Sequence, residues 1–436
     1  MAVVATVSFI MPAAAAEPEA RLVRDIKIAG GSDPHYPTRA KGLVFFSAND
    51  GIHGKELWVT DGTGAGTRLV RDINRGGEGS VPRQLTKVGS RLFFSAIDAT
   101  HGRELWVSDG TAAGTKLVKD LTAGKEGSSV SSIADAGGTA YVVRNARELW
   151  RSDGTAAGTS RLRSFDGVTV DDSVALGKVL LFSADGLWKT KGTVASTQRL
   201  TPAGGHADLL TRFNGQVYFR RVGAAGAPGA EPSPELWRSD GTKAGTGRFG
   251  QVYDPRDLSV LGGHLYLDGR ASGFDRLFRS DGTVAGTGPV VPKVGPMFGL
   301  LVAAGRLWST AVGQMDEPHS LWVSDGTATG TSRLYGGGND WYVSDWRRID
   351  GVGMAGRLWF AAGPLDTGPG DSDELPFLDQ EPWASDGTTE GTLEVADINP
   401  DGSSLPRDFV KLGQRILFSA DDGEHGRELW SMRTTG

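Results

Sequence analysis

Glu104-Leu105-Trp106-Val107-Ser108-Asp109-Gly110-Thr111-Ala112-Ala113-Gly114-Thr115 is the stretch that decides the fold, because it recurs along the whole chain. Copies begin at Glu56, Glu104, Glu148, Gly186, Glu235, Arg276, Ser320, Glu381 and Glu428. The copy at 186 carries Lys191 where the others carry Asp, the copy at 276 has Phe278 for Trp, and the copy at 381 has Pro382 for Leu. The last copy runs through Glu428-Leu429-Trp430-Ser431-Met432-Arg433 and lacks the turn. Self-similarity at a fixed period is the mark of a repeat architecture.

One repeat can be read in full between 82 and 121. Arg83 to Val88 alternates in character, Gly89-Ser90 turns the chain, and Arg91 to Ala96 is more apolar. The loop at Asp98-Ala99-Thr100-His101-Gly102 leads into Arg103 to Ser108, Asp109-Gly110 turns again, and Thr115 to Asp120 completes the unit. Period-two alternation, β-branched and aromatic enrichment and glycine-bearing turns all favour strands. Four strands every forty to fifty residues describe propeller blades. The expected fold is an all-β propeller of about nine four-stranded blades, with eight as the alternative because the unit at 174 to 200 is short. Arg21-Leu22-Val23-Arg24-Asp25-Ile26 matches the segments that follow the turn elsewhere, at Arg68 to Ile73 and Lys116 to Leu121. At the N-terminus it stands alone, and the last unit ends just before the place where it belongs. The sequence therefore predicts a ring in which strand 21–26 completes the C-terminal blade.

Composition fits this reading. The chain has 436 residues, of which 64 are Gly, and 39% are apolar, enough for a packed structure with many tight turns. A net charge of −6 argues against nucleic acid as a partner. The absence of Cys excludes disulfides and thiolate chemistry. Val3 to Ala16 is an apolar run ending in four alanines and followed by Glu17-Pro18-Glu19, which reads as a signal peptide over 1–16 despite lacking a basic start. Residues 17–436 would then form one domain, exported to the periplasm, the cell surface or the medium. No later stretch is long and apolar enough to insert into a bilayer. A monomer is expected.

The repeated tryptophans Trp58, Trp106, Trp150, Trp188, Trp237, Trp322, Trp383 and Trp430 are read as structural. Burying one contributes roughly 4–6 kcal/mol as an upper bound. Asp-Gly-Thr is read as a hairpin turn. The competing reading, a repeated calcium site, suffers from offering only one Asp per unit. His53-Gly54, His101-Gly102 and His425-Gly426 each follow an Asp by three or four residues (Asp50, Asp98 and Asp421 or Asp422), which reads as a local His–Asp bond rather than a metal site. No nucleotide-binding, metalloprotease or serine-hydrolase signature occurs, so no catalytic residue, metal or cofactor is assigned.

Non-repeat sequence concentrates in three insertions between second and third strands, at 222–234, 313–319 and 364–382, and in Tyr335 to Trp346. Insertions in one register fall on one face, often the binding face. Trp341, Tyr342, Trp346 and Arg347, with Asp371, Asp373 and Glu374 of the acidic insertion, are the candidate ligand-binding residues, since aromatic faces beside carboxylates suit carbohydrate.

The chain resembles bacterial proteins named for the ELWxxDGT repeat, and Glu104 to Thr111 is a full instance of that motif. The likeness covers 21–436 and implies an exported, propeller-like protein, with no activity to carry over. The expected function is binding of a polysaccharide or a surface protein through one face. A scaffold without a small ligand, and a glycan-cleaving enzyme using carboxylates of the same loops, are the alternatives.

Overall fold

The computed structural model describes residues 19–223, 233–271, 274–290, 297–311, 320–334, 341–343, 349–364 and 379–434. The proposed leader at 1–16 lies outside them. The described residues form strands and turns without a helix. The strands group into nine blades of antiparallel neighbours, numbered here in chain order from the blade built on His35–Ala40, Leu43–Asn49, Lys55–Thr60 and Arg68–Arg71. Blade 2, on Arg83–Val88, Arg91–Asp98, Gly102–Ser108 and Lys116–Lys119, follows the expected unit closely. The short unit makes a full fourth blade, from Ser173–Leu176 to Gln198–Arg199, so the count is nine.

Two blades depart from the pattern. Blades 5 and 6 share one strand, Gly247–Leu261, whose first part pairs with Glu235–Ser239 and whose second part pairs with His264–Ala271. In blade 8 the innermost strand comes in two pieces, Trp341–Val343 and Gly351–Met354, both paired with Arg357–Pro364. Residues 341–343, expected in a connector, thus belong to the inner edge of a blade.

Blade 9 combines Arg407–Leu412, Arg415–Asp421 and Arg427–Arg433 with the first strand of the chain, Ala20–Arg24. Leu22 pairs with Trp430 and Arg21 with Ser431. The expected strand 21–26 is therefore found, shifted to 20–24, and Ile26 continues into the core.

Alternation along the third strand explains why the blades assemble. Leu57 sits with Phe45 and Val59 against Leu92, Phe94 and Trp106 of blade 2. Its neighbour Trp58 points the opposite way, with Val44 and Phe46, against Leu412, Leu417 and Leu429 of blade 9. The same division recurs around the ring. Leu105 meets Val142 and Trp150, Leu149 meets Leu180 and Trp188, Leu187 meets Phe219 and Trp237, and Leu236 meets Leu265 and Phe278. Leu277 then meets Leu307 and Trp322, and Leu321 meets Phe360 and Trp383. Ala384 and Trp359 of blade 8 meet Trp430 and Phe418 of blade 9. Each successive pair of blades has its own apolar seam, and the ninth seam joins the last blade to the first.

The Asp-Gly-Thr turn closes the third strand onto the fourth. Asp109 Oδ1 accepts from the Thr111 amide at 2.9 Å and its hydroxyl at 2.7 Å. Ser108 and Thr115 hydroxyls bond at 2.7 Å beneath the turn, and Gly110 takes φ +94°, which a side chain would strain. The bonds from Thr111 hold the Asp109 carboxyl below its ordinary pKa. Its position also explains the second glycine of the motif, since a Cβ at Gly114 would collide with the Asp109 carboxylate. Blade 4 tests this rule naturally. There Lys191 has removed the carboxylate, Ser196 occupies the glycine position, and its hydroxyl accepts from the amides of Lys191 at 3.0 Å and Thr193 at 3.1 Å. The two substitutions compensate each other.

Two outcomes follow. A chain starting at residue 27 should melt lower than the full protein and aggregate on heating, because it exposes the edge of Arg427–Arg433. Thermal denaturation with light scattering checks this, and identical melting would remove the closing role of the first strand. Gly114→Ser should cost about 1–3 kcal/mol through overpacking. Asp109→Lys combined with Gly114→Ser should recover part of that loss in a double-mutant cycle, whereas additive losses would show that the blade 4 pairing is not compensation.

Candidate binding face

In blades 1 to 8 the third strand runs from the loop after strand two to the Asp-Gly-Thr turn, or to its Lys191-Gly192-Thr193 counterpart in blade 4, so these two features lie on opposite faces of the ring. The insertions leave second strands ending at Gly223, Ala311 and Pro364 and re-enter at Glu235, Ser320 and Glu381. These strand ends all lie on the face away from the Asp-Gly-Thr turns, together with the described connectors between blades. Trp341 and Tyr342 pair through their backbones with Pro364 and Gly363, which puts this strand beside the start of the acidic insertion. Trp346, Arg347, Asp371, Asp373 and Glu374 lie outside the described residues.

The connectors on this face are clamped by a residue whose role the sequence reading missed, the motif glutamate. Glu56 is fully buried and accepts from the amides of Asn74 and Ser80, each at 3.0 Å, and from the Ser80 hydroxyl at 2.5 Å. Glu104 holds Leu121, Thr122 and Ser128 in the same way, and Glu381 holds Ile398 and Ser404. Glu428 reaches the connector that begins blade 1, accepting from Lys27 and from both the amide and hydroxyl of Ser32. Burial pushes Glu56 up to about 6 against these donors, which favour the charged form. The signal was a serine 23 or 24 residues after Glu56, Glu104 and Glu381, with Ser32 serving Glu428 from the start of the chain. In blades 3 and 5 the clamp is gone. Glu148 and Glu235 instead accept from the indoles of Trp150 at 3.0 Å and Trp237 at 3.1 Å.

The three histidines behave as local loop closers. Nδ1 of His53, His101 and His425 lies 2.7, 2.9 and 2.7 Å from Asp50, Asp98 and Asp422 respectively. The hydrogen bond to Asp raises each imidazole above its ordinary pKa. Among the described residues no three His, Cys, Asp or Glu side chains converge as a metal site.

A different cluster stands at this face between blades 5 and 6. Arg220 grips Asp208 with Nε at 2.7 Å and Nη2 at 2.5 Å. Arg256 meets Asp254 at 2.6 Å, and Asp268 and Asp275 at 3.3 Å each. Arg220 and Asp268 stand opposite the motif leucines Leu236 and Leu277, where blades 1, 2 and 9 carry Ser47, Ser95 and Ser419. Asp268 is fully buried, and its Oδ1 has no hydrogen-bond partner.

No family model matches the chain, and no curated protein matches it. Solved structures give distant likenesses. Puromycin hydrolase aligns at 13% identity with a TM-score of 0.40, over 78% of this chain and only 58% of its own. BamB from Moraxella catarrhalis aligns at 12% identity and TM-score 0.43, over 96% of this chain and 99% of its own. The β-propeller domain of the Trilobed protease from Pyrococcus furiosus aligns at 12% identity and TM-score 0.34, over 71% and 98%. No described helix is long and apolar enough to cross a membrane.

Burial pushes the Asp268 carboxyl up to about 7, with Arg256 pulling in the opposite direction. A folded-state pKa above the ordinary 3.8 means that the protonated form is favoured in the fold. The stabilisation is complete below the unfolded value and is lost as pH rises through the folded one. The Tm of Asp268→Asn relative to the parent should therefore climb as pH rises from about 4 to about 8. Differential scanning calorimetry across that range checks it, and a constant difference would place the ionised form in the fold throughout.

Proposed function

We propose that this chain is an exported propeller of the ELWxxDGT-repeat type that binds a polysaccharide through the face carrying the insertions, with a surface protein as the other class of partner. The observation that supports this is positional. Three insertions of different sequence all leave from second strands of blades 5, 7 and 8. They rise from the same face as connectors clamped by buried carboxylates, and binding loops on a rigid scaffold are a recurrent solution. Trp341, Tyr342, Trp346 and Arg347 supply stacking surface and a cation in this reading, and Asp371, Asp373 and Glu374 accept from sugar hydroxyls. Calcium has no assigned role.

A glycan array probed with residues 17–436, with and without calcium, tests the reading. Binding to a defined glycan class, lost in the Trp341→Ala/Trp346→Ala variant, is the expected result. No glycan binding, with specific capture of one envelope protein, would move the function to the surface-protein class. Neither would leave the scaffold reading.

A further inference from the structure

Basic side chains bridge the ring on the face that carries the Asp-Gly-Thr turns. Arg151 at the end of the blade 3 motif donates to the Gly192 carbonyl of blade 4 at 3.0 Å. In the same register Lys189 donates to Gly241 at 2.8 Å and Arg238 to Gly282 at 3.4 Å. Arg68 supplies an equivalent bridge from blade 1 to Gly110 at 2.9 Å. Each draws one blade's third or fourth strand against the next blade's turn.

Arg279 of blade 6 occupies the register of Arg151, Lys189 and Arg238, yet it turns back into its own blade. Its Nη2 lies 2.6 Å from His264 Nε2, at the start of the second strand. A guanidinium only donates, so Nε2 is the acceptor and Nδ1 carries the proton. Nδ1 in turn lies 3.2 Å from the Gly262 carbonyl, which the protonated nitrogen can reach. The two bonds agree on a neutral histidine that holds Arg279 away from the seam. At this seam a cleft of about 440 Å³ opens between the turns of blades 6 and 7, within the range of small-molecule sites.

The walls of the cleft define its chemistry. Arg279 and His264 form one side, Pro289 and Val290 an apolar side, and Thr327 lies on the neighbouring turn. Asp281 also lines it, with one carboxylate oxygen already accepting from the amide and hydroxyl of Thr283 at 2.7 and 2.8 Å. A fixed carboxylate beside the arginine disfavours multiply charged anions such as phosphate. It favours a ligand with one carboxylate for Arg279, hydroxyls for the second oxygen of Asp281, and a ring to lie on Pro289 and Val290, since the Thr327 hydroxyl is already engaged with Asp325 at 2.7 Å and the Gly330 amide at 3.0 Å. We propose that the cleft between blades 6 and 7 binds a hexuronate, held by its carboxylate on Arg279. This site lies on the opposite face from the insertions and does not depend on the function proposed above.

Titration calorimetry of the full chain with glucuronate and galacturonate, and with glucose as the uncharged control, tests it. The expected result is saturable binding of one uronate, at least about tenfold weaker for glucose, as charge-assisted hydrogen bonds imply. Arg279→Gln should weaken uronate binding by about the same factor. His264→Leu should also abolish it, by freeing Arg279 to bridge toward blade 7 as its counterparts do, and should leave the Tm unchanged or raised. Absence of saturable uronate binding would overturn the proposal. So would equal affinity for glucose, or variants that bind like the parent.

Discussion

The structure depends on one constraint, that each blade is apolar on both faces. Leu57 and Trp58 are adjacent in sequence and point into different seams. A sheet built this way cannot be stable alone, because neither face may meet water. Every blade needs a neighbour on each side, and a finite row of such blades would leave two uncovered faces. The seam of Trp58 with Leu412 and Leu429, and the pairing of Leu22 with Trp430, remove both at once. Covering apolar area at about 25 cal/mol per Å² makes this the dominant stabilising term of the ring.

Polar residues of the motif serve the ends of the blade. On one face the Asp carboxylate and the Ser and Thr hydroxyls satisfy the turn backbone. On the other the Glu carboxylate satisfies the amides of a connector that would otherwise be buried without partners. Glu56 is the more demanding of the two, since it is fully buried while Asp61 stays exposed. That cost explains why the clamp survives in blades 8, 9, 1 and 2, where a serine waits in the connector, and is replaced by an indole bond in blades 3 and 5.

This division sets what could be read from the sequence. The strands, the turns and the placement of the first strand were legible because they rest on local periodicity and on sequence identity between copies. Of the repeated tryptophans, Trp58, Trp106 and Trp188 are buried, and Trp150, Trp237, Trp322, Trp383 and Trp430 are half-buried against their seams. The glutamate clamp was not. A Glu at the head of a strand looks like a solvated residue, and the amides it serves lie well down the chain. The Arg220–Asp208 pair and the Arg256 cluster were equally hidden, since each arginine reads as an ordinary charge until cross-strand register sets it beside its partners. The aromatic and acidic candidates at 346–347 and 371–374 fall outside the described residues, so they rest on sequence alone.

Departures from the repeat therefore carry more functional information than the repeat itself. Lys191 with Ser196 is a departure that restores the turn, and it carries none, because the geometry it rebuilds is that of the Asp-Gly-Thr turns of the neighbouring blades. Arg279 with His264 is the opposite kind. The side chain is the one the register calls for, the strand around it is regular, and only its partner differs. A change that keeps the fold while redirecting one arginine serves no evident structural end, since the bridging geometry is available in the adjacent blade at Arg238. It also leaves Arg279 on the wall of the cleft between the turns of blades 6 and 7. A neutral imidazole suits that task, because it accepts from the guanidinium without neutralising it, whereas a carboxylate at position 264 would have cancelled the charge.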